Sequence, residues 1–164
     1  MRILGIDPGS LHTGYALVDV EGNALRSIRV DRWSLRGEDM GARLLQLDEA
    51  LSAAVAEYRP DVAAIETVFV NQNPNSALKL GQARGVILCA LARAGVATAE
   101  YTPATIKQTI CGSGRADKTQ VGWMVQRLLG LRGEKLAADA ADAAAVAICH
   151  HQHAPARRYR IAGT

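Results

Sequence analysis

With 164 residues, 49% of them hydrophobic, the chain has room for one compact domain and one substantial core that needs no disulfide support. Its cysteines, Cys89, Cys111 and Cys149, are scattered without C-x-x-C spacing, which excludes a disulfide framework and a structural zinc site and fits a reducing cytoplasm. The net charge of +3 is too mild to argue for a polyanionic partner by itself, and the longest apolar run, Val86–Ala92 between Arg84 and Arg93, is far below membrane-spanning length.

The opening reads as strands. Ile3–Ile6 is a short apolar run that ends at the turn signal Asp7-Pro8-Gly9, and Asp7 interrupts it too early for a signal peptide. Thr13–Val20 is a second β-rich run, and Glu21-Gly22-Asn23 turns it into a third, Ala24–Trp33, so an antiparallel meander is expected. The period then changes. Leu44, Leu45, Leu47, Leu51, Val55 and Tyr58 recur at helical spacing until Arg59-Pro60-Asp61 breaks the pattern. Val62–Glu66 is a buried-type strand that ends in a carboxylate. A polar stretch, 71–75, leads to a helix from about Ser76 to Ala94, which Gly95 ends, and Val96–Tyr101 supplies a fifth strand.

The remainder is helical: a short piece over Pro103–Ile110, a second over Asp117–Leu129, and an alanine-rich third from about Leu136 to His151. Gly112-Ser113-Gly114 is the one internal loop whose composition suggests mobility. Strands first and then a helix–strand alternation predict an α/β fold with a mixed five-stranded sheet. One domain is expected over residues 1–153, followed by a basic, disordered tail over 154–164.

Four acids stand where a core would not choose them. Asp7 and Glu66 each close an apolar strand, and Asp139 and Asp142 lie three apart on the alanine-rich helix, so they project from one face. Asp7 before Pro-Gly also reads as a routine turn residue, and Asp139 as a charge favoured by a helix N-terminus; Glu66 and Asp142 have no such explanation. Two like charges 4 Å apart cost on the order of 4 kcal/mol at an effective dielectric near 20. Oxygen-preferring divalent cations remove that cost and, in pairs, promote phosphodiester cleavage. The charge distribution is compatible: Arg36–Glu66 is mainly acidic and Pro103–Lys135 mainly basic, as a polyanion-cutting site or an ordinary solvated surface would be.

Four segments taken in order resemble the bacterial Holliday-junction resolvases, the RuvC family. They are Gly5-Ile6-Asp7-Pro8-Gly9-Ser10 with Thr13-Gly14-Tyr15, Ala64-Ile65-Glu66 with Val68-Phe69, the long Asn75–Gly85 stretch, and Asp139-Ala140-Ala141-Asp142-Ala143. The likeness runs from about Ile3 to His151. It implies a ribonuclease-H-like fold, a homodimer, and paired nicking of four-way DNA junctions in recombination and repair, dependent on Mg²⁺ or Mn²⁺ with two ions per site. A branch-migration motor complex of the RuvA–RuvB type is the partner implied. The resemblance puts the metal-binding, catalytic acids on Asp7, Glu66, Asp139 and Asp142. It puts DNA contacts on Phe69, Lys79, Arg84, Lys107, Arg115 and Lys118, and a dimer face on Leu78, Gly81, Gln82 and Gly85.

From the residues alone, Lys107 and Lys118 are ordinary surface lysines, Phe69 could be a core anchor, and Gly81 and Gly85 could let their helix pack on its own sheet. Trp123, Met124, Val125 and Leu128 read as core packing. His150, His151 and His153 read as an exposed tail cluster, and Arg157, Arg158 and Arg160 as diffuse attraction for phosphate. A competing class is a sugar kinase or actin-like ATPase, whose first phosphate loop resembles Ile6–Ser10 with Gly14; its second loop, Asp-Gly-x-Thr, is missing here. A junction-binding module without activity would be favoured by loss of an acid, and all four are present.

Overall fold

The computed structural model describes residues 1–67, 74–131 and 133–154. In chain order these residues form β1 (Arg2–Asp7), β2 (His12–Glu21), β3 (Ala24–Ser34), α1 (Met40–Tyr58), β4 (Val62–Glu66), α2 (Pro74–Arg93), β5 (Ala97–Tyr101), α3 (Pro103–Cys111), α4 (Lys118–Leu128) and α5 (Ala138–His153). The sheet order is β3-β2-β1-β4-β5: the first three strands are antiparallel, and β4 and β5 join β1 in parallel. This is the mixed five-stranded sheet that the strand-first pattern leads to, with every expected element present and boundaries shifted by a few residues.

Period-2 alternation divides the chain between two cores, one on each face of the sheet. Leu4, Ile6, Tyr15, Leu17, Ala63 and Ile65 pack with the apolar sides of α1 and α2. Ile3, Ala16, Val18 and Ala64 face the other way, onto α5 and the helices α3 and α4 beside it. Leu45 departs from the helical pattern read for α1: it is 59% exposed, because Leu47, Leu51, Ala54 and Val55 are the residues that turn inward.

α5 lies against the sheet almost backbone to backbone. A Cβ on Gly5 would stand 2.1 Å from the Ala143 carbonyl oxygen, and one on Gly14 would stand 1.9 Å from the Asp139 carbonyl oxygen. Both contacts are far inside van der Waals range, so only glycine lets these strands pass beneath the helix. The helix matches them with small residues: Ala140, Ala143, Ala144 and Ala147 are buried. Its buried run continues through Val146, Ile148 and Cys149 to His150.

Caps and pinned turns hold the connections. Asp39 caps α1, and its carboxylate accepts from the Ala42 N–H at 2.8 Å. Asp117 and Gln120 form a reciprocal capping box at the start of α4. The 112–114 loop, whose composition suggests mobility, is tied down by Gln108, which donates to the Gly112 carbonyl (2.9 Å) and accepts from the Gly114 N–H (3.1 Å).

Gly14→Ala should cost about 3 kcal/mol or more in urea unfolding, at or above the usual overpacking range, because backbone and not a flexible side chain meets the new methyl. Gly122→Ala, on α4 with nothing within 4 Å of the added carbon, should instead stabilise by about 0.5–1 kcal/mol as a helix-interior glycine replaced by alanine. Equal effects of the two would show that the close approach of α5 is not a constraint.

Candidate active site

Asp7 and Glu66 meet because of strand register. β1 and β4 pair Ile6 with Ile65, so the next residues, Asp7 and Glu66, are neighbours at the same sheet edge and on the face that carries Gly5 and Ala64. Both strands end there. Asp7 is still paired with Gly14 of β2, and the loop beyond it is held by Thr13, a fully buried side chain. The Thr13 hydroxyl donates to the Gly9 carbonyl oxygen (2.8 Å) and accepts from the Gly9 N–H (3.3 Å). Thr67, next to Glu66, donates its N–H to the Tyr101 carbonyl oxygen at 2.9 Å and so anchors the end of β4 to β5.

α5 brings the other two acids. Three residues apart on one helical face, Asp139 sits over Gly14 and Asp142 reaches the strand ends. Asp7, Glu66 and Asp142 line a common cavity of about 340 Å³, together with Pro8, Thr67, Leu80, Pro103, Ile106, Lys107, Lys118, Val121 and Ala145. Asp139 is not among the residues that line this cavity, although its charge acts on Asp7; Arg32 of β3 donates from Nη1 to its Oδ2 at 3.3 Å. Lys118 Nζ donates to Asp142 Oδ2 at 2.9 Å.

The acids feel one another. Burial pushes Asp7 up to about 8 from the ordinary 3.8; the charges of Glu66, Asp142 and Asp139 add to the rise, and Lys118 opposes it. Glu66 is raised as well, by burial first and then by Asp142, while Lys118, Lys107 and a hydrogen bond with Asp7 pull the other way. Lys118 is held in its charged form chiefly by its hydrogen bond to Asp142. With Asp7 ionised, the lining acids Asp7, Glu66 and Asp142 outweigh Lys107 and Lys118 by one charge, and a proton on Asp7 makes up that difference at neutral pH.

Among the described residues, no three acidic, histidine or cysteine side chains already enclose a metal-sized space. The donor chemistry nonetheless suits a hard divalent cation: oxygen ligands only, surplus negative charge, and an open cavity between them. Soft or nitrogen-preferring metals have nothing comparable here.

Residues 3–150 match the family model for RuvC, crossover junction endodeoxyribonuclease. The chain belongs to this family. It is 51% identical over 163 residues, 99% of its own length and 98% of the other, to a crossover junction endodeoxyribonuclease RuvC of Alkalilimnicola ehrlichii. It is 52% identical over 153 residues, 93% of this chain and 90% of the other, to the protein of that name in Halorhodospira halophila. Among solved structures it is similar to Thermus thermophilus RuvC in complex with a Holliday junction substrate, with a TM-score of 0.86 and 31% identity over 92% of this chain and 93% of that one. The fold is accordingly ribonuclease-H-like, as the resemblance implies.

The residues expected to touch DNA are distributed unevenly. Lys107 and Lys118 line the acidic cavity. Arg115 is exposed on the loop before α4 and Lys79 is exposed on α2. Arg84 is half-buried and already engaged, donating from Nη2 to Glu100 Oε1 at 2.6 Å. Phe69 lies outside the described residues, as do Arg157, Arg158 and Arg160. Leu78, Gly81, Gln82 and Gly85 share an exposed face of α2, and a Cβ on either glycine would meet nothing within 4 Å. The reading in which those glycines pack on their own sheet is thereby removed.

Three expectations need correction. His150 is not part of an exposed cluster: it is buried, and its Nδ1 lies 2.9 Å from the Tyr101 hydroxyl. His153 is exposed, as expected, but it is not idle: its Nε2 meets Thr109 Oγ1 at 2.8 Å, so the end of α5 is fastened to α3. Trp123 is 57% and Leu128 36% exposed, whereas Val125 alone of that group is fully buried. Sequence reasoning also missed Arg32 and Thr13. Thr13 stood within a recognisable motif but had no assigned task, and nothing local marks Arg32, whose partner is set by the pairing of Gly14 with Arg32 across β2 and β3.

The shift on Asp7 has a consequence for stability. The unfolded chain ionises Asp7 near 3.8 and the folded chain only near 8, so between these values the native state alone keeps the proton. Metal-free stability must then fall as pH rises through that window. In EDTA, Asp7→Asn should melt above the wild type at pH 8, with the gap closing toward pH 4. Parallel melting-temperature profiles for the two proteins across that range would refute the burial of a reluctant carboxylate at this site.

Proposed function

We propose that this chain is a structure-selective endonuclease that resolves four-way (Holliday) DNA junctions by paired, symmetric nicking, with Asp7, Glu66, Asp139 and Asp142 as its metal-binding, catalytic acids. The observation that carries the reading is the convergence of Asp7, Glu66 and Asp142 on one cavity that Lys107 and Lys118 also line. Carboxylates alone would repel a phosphodiester; lysines alone would bind it without activating water. Together they form a place where a scissile phosphate can sit beside a cation site.

Divalent cations, Mg²⁺ or Mn²⁺ and two per site in this proposal, would supply Lewis acidity and a lowered water pKa when bound. The chain's own groups divide the remaining work. Asp7 and Glu66, fixed on rigid strand ends, and Asp142, fixed on a buried helix, present oxygen donors whose positions cannot drift with loop motion. Asp139, on the same face of α5 as Asp142 but outside the cavity lining, is proposed to complete the set and is held by Arg32. Asp7 must lose its proton to act as a ligand, so cation affinity should rise with pH up to about 8. Lys118 is shared: its ammonium lies on Asp142 while its side chain stays exposed and can turn toward an incoming phosphate, and Lys107 lines the same cavity. The helix start at Lys118 adds its own positive potential.

A four-way junction is close to two-fold symmetric, and one active site cannot cut two symmetry-related strands from one pose. The reading therefore includes a C₂ homodimer joined through the face of α2 formed by Leu78, Gly81, Gln82 and Gly85, where Leu78 is 65% exposed. Lys79 and Arg115 are proposed to add backbone contacts, and Arg84 can do so only by leaving Glu100. A branch-migration motor of the RuvA–RuvB type is the proposed partner. The cytoplasm is the proposed compartment; among the described residues no helix is long and apolar enough to cross a membrane.

A four-way junction, a linear duplex and a single strand of the same sequence, incubated side by side with Mg²⁺, test this. The wild type should cut the junction alone, with both nicks in one encounter, and Gly81→Arg should give a folded monomer by sedimentation and circular dichroism that leaves mostly single nicks. Equal cutting of duplex and junction would sink junction selectivity, and a folded Gly81→Arg dimer with normal paired cutting would place the interface elsewhere.

A further inference from the structure

α4 connects the catalytic cavity to a feature that the cutting reaction has not used. Lys118, its first residue, reaches Asp142; Val121 and Val125 point into the core. Trp123 lies midway between those valines in sequence, about 200° of helical rotation from each, and so points away from the core. It is 57% exposed, a large apolar surface for a residue with a polar N–H still unspent. Arg127, one turn further on the same face, holds its guanidinium carbon 5.5 Å from the centre of the Trp123 ring. Trp123 and Arg127, with Gln126 and Gly133, line a separate depression of about 240 Å³. Gln126 donates to the Glu134 carbonyl oxygen at 3.0 Å and so fixes the floor of that depression to the turn after α4.

We propose that Trp123 and Arg127 form a backbone-binding subsite for a duplex arm of the junction. The proposal rests on the junction-cutting reading above and deepens it. Two observations favour DNA over a protein partner as the occupant. The segment that carries the patch, Pro103–Lys135, is the basic part of the chain. Arg127 is pre-positioned: stacking on the indole limits its freedom while leaving its N–H groups available for a phosphate, and the ring offers a flat face for a deoxyribose. Nothing in the patch reads a base, so the contact adds grip and register without sequence preference.

The chain has two tryptophans, Trp33 and Trp123. Trp33 stacks on Tyr15 at 4.2 Å, an arrangement a phenylalanine preserves, so Trp33→Phe leaves Trp123 as the sole tryptophan reporter. Synthetic four-way junction is titrated into that variant in EDTA, with complex formation followed by gel retardation. The expected result at saturation is a marked loss of acrylamide quenching of Trp123. In parallel, Arg127→Ala should reduce the slope of log affinity against log salt by about 0.9, the value of one lost B-DNA phosphate contact. Unchanged quenching at saturation, or an unchanged salt slope, overturns the subsite and leaves the patch to a protein partner. A retarded complex with Trp123 unaffected defeats this subsite alone; a chain that retards no junction defeats the junction-cutting reading as well.

Discussion

The architecture depends on how near α5 can come to the sheet. Gly5 and Gly14 offer no side chain where the helix crosses, and the helix answers with alanines, so that backbone carbonyls of Ala143 and Asp139 lie where a β-carbon would have to be. That proximity decides the reach of short acidic side chains. A helix resting on ordinary valines and leucines would be held further from the sheet by their side chains. Asp142 could not then share a cavity with Asp7 and Glu66. The alanine-rich helix is therefore a geometric requirement of the site as well as a part of the core.

Gathering acids creates an electrostatic problem that the fold answers only in part. Lys118 compensates Asp142 and Arg32 compensates Asp139, while the half-buried pair Asp7 and Glu66 shares a hydrogen bond and a raised affinity for protons. The surplus negative charge is what a divalent cation would neutralise, and the lysines are what a phosphate would attract. Cation, proton and lysine thus compete for the same carboxylates. The metal-free fold trades stability for a site that is ready to bind.

Much of this was legible in the residues. A strand that ends in Asp, another that ends in Glu, and two aspartates on an alanine helix leave few alternatives, because none of these positions benefits a core. Asp7 looked equally like a turn residue, and only the register of Ile6 with Ile65 shows that it stands beside Glu66. What escaped was set by tertiary placement. Arg32 gains its role from a cross-strand pairing, and His150 is buried by a tyrosine contributed from β5. Trp123 and Leu45 fit an apolar helical stripe in one dimension but fall outside the narrower stripe that α4 and α1 bury. The glycines of α2 were ambiguous until the space beside them was seen to be open.

We propose that the converging carboxylates perform the cutting and are dispensable for holding DNA. Asp142→Asn separates these functions with the smallest change, since it keeps the shape of the side chain and removes its charge. Junction affinity is measured by gel retardation in EDTA or Ca²⁺, and nicking in Mg²⁺. The account predicts affinity equal to or somewhat tighter than wild type, because repulsion of phosphate is reduced, together with abolished nicking. Near-normal nicking by Asp142→Asn would contradict it.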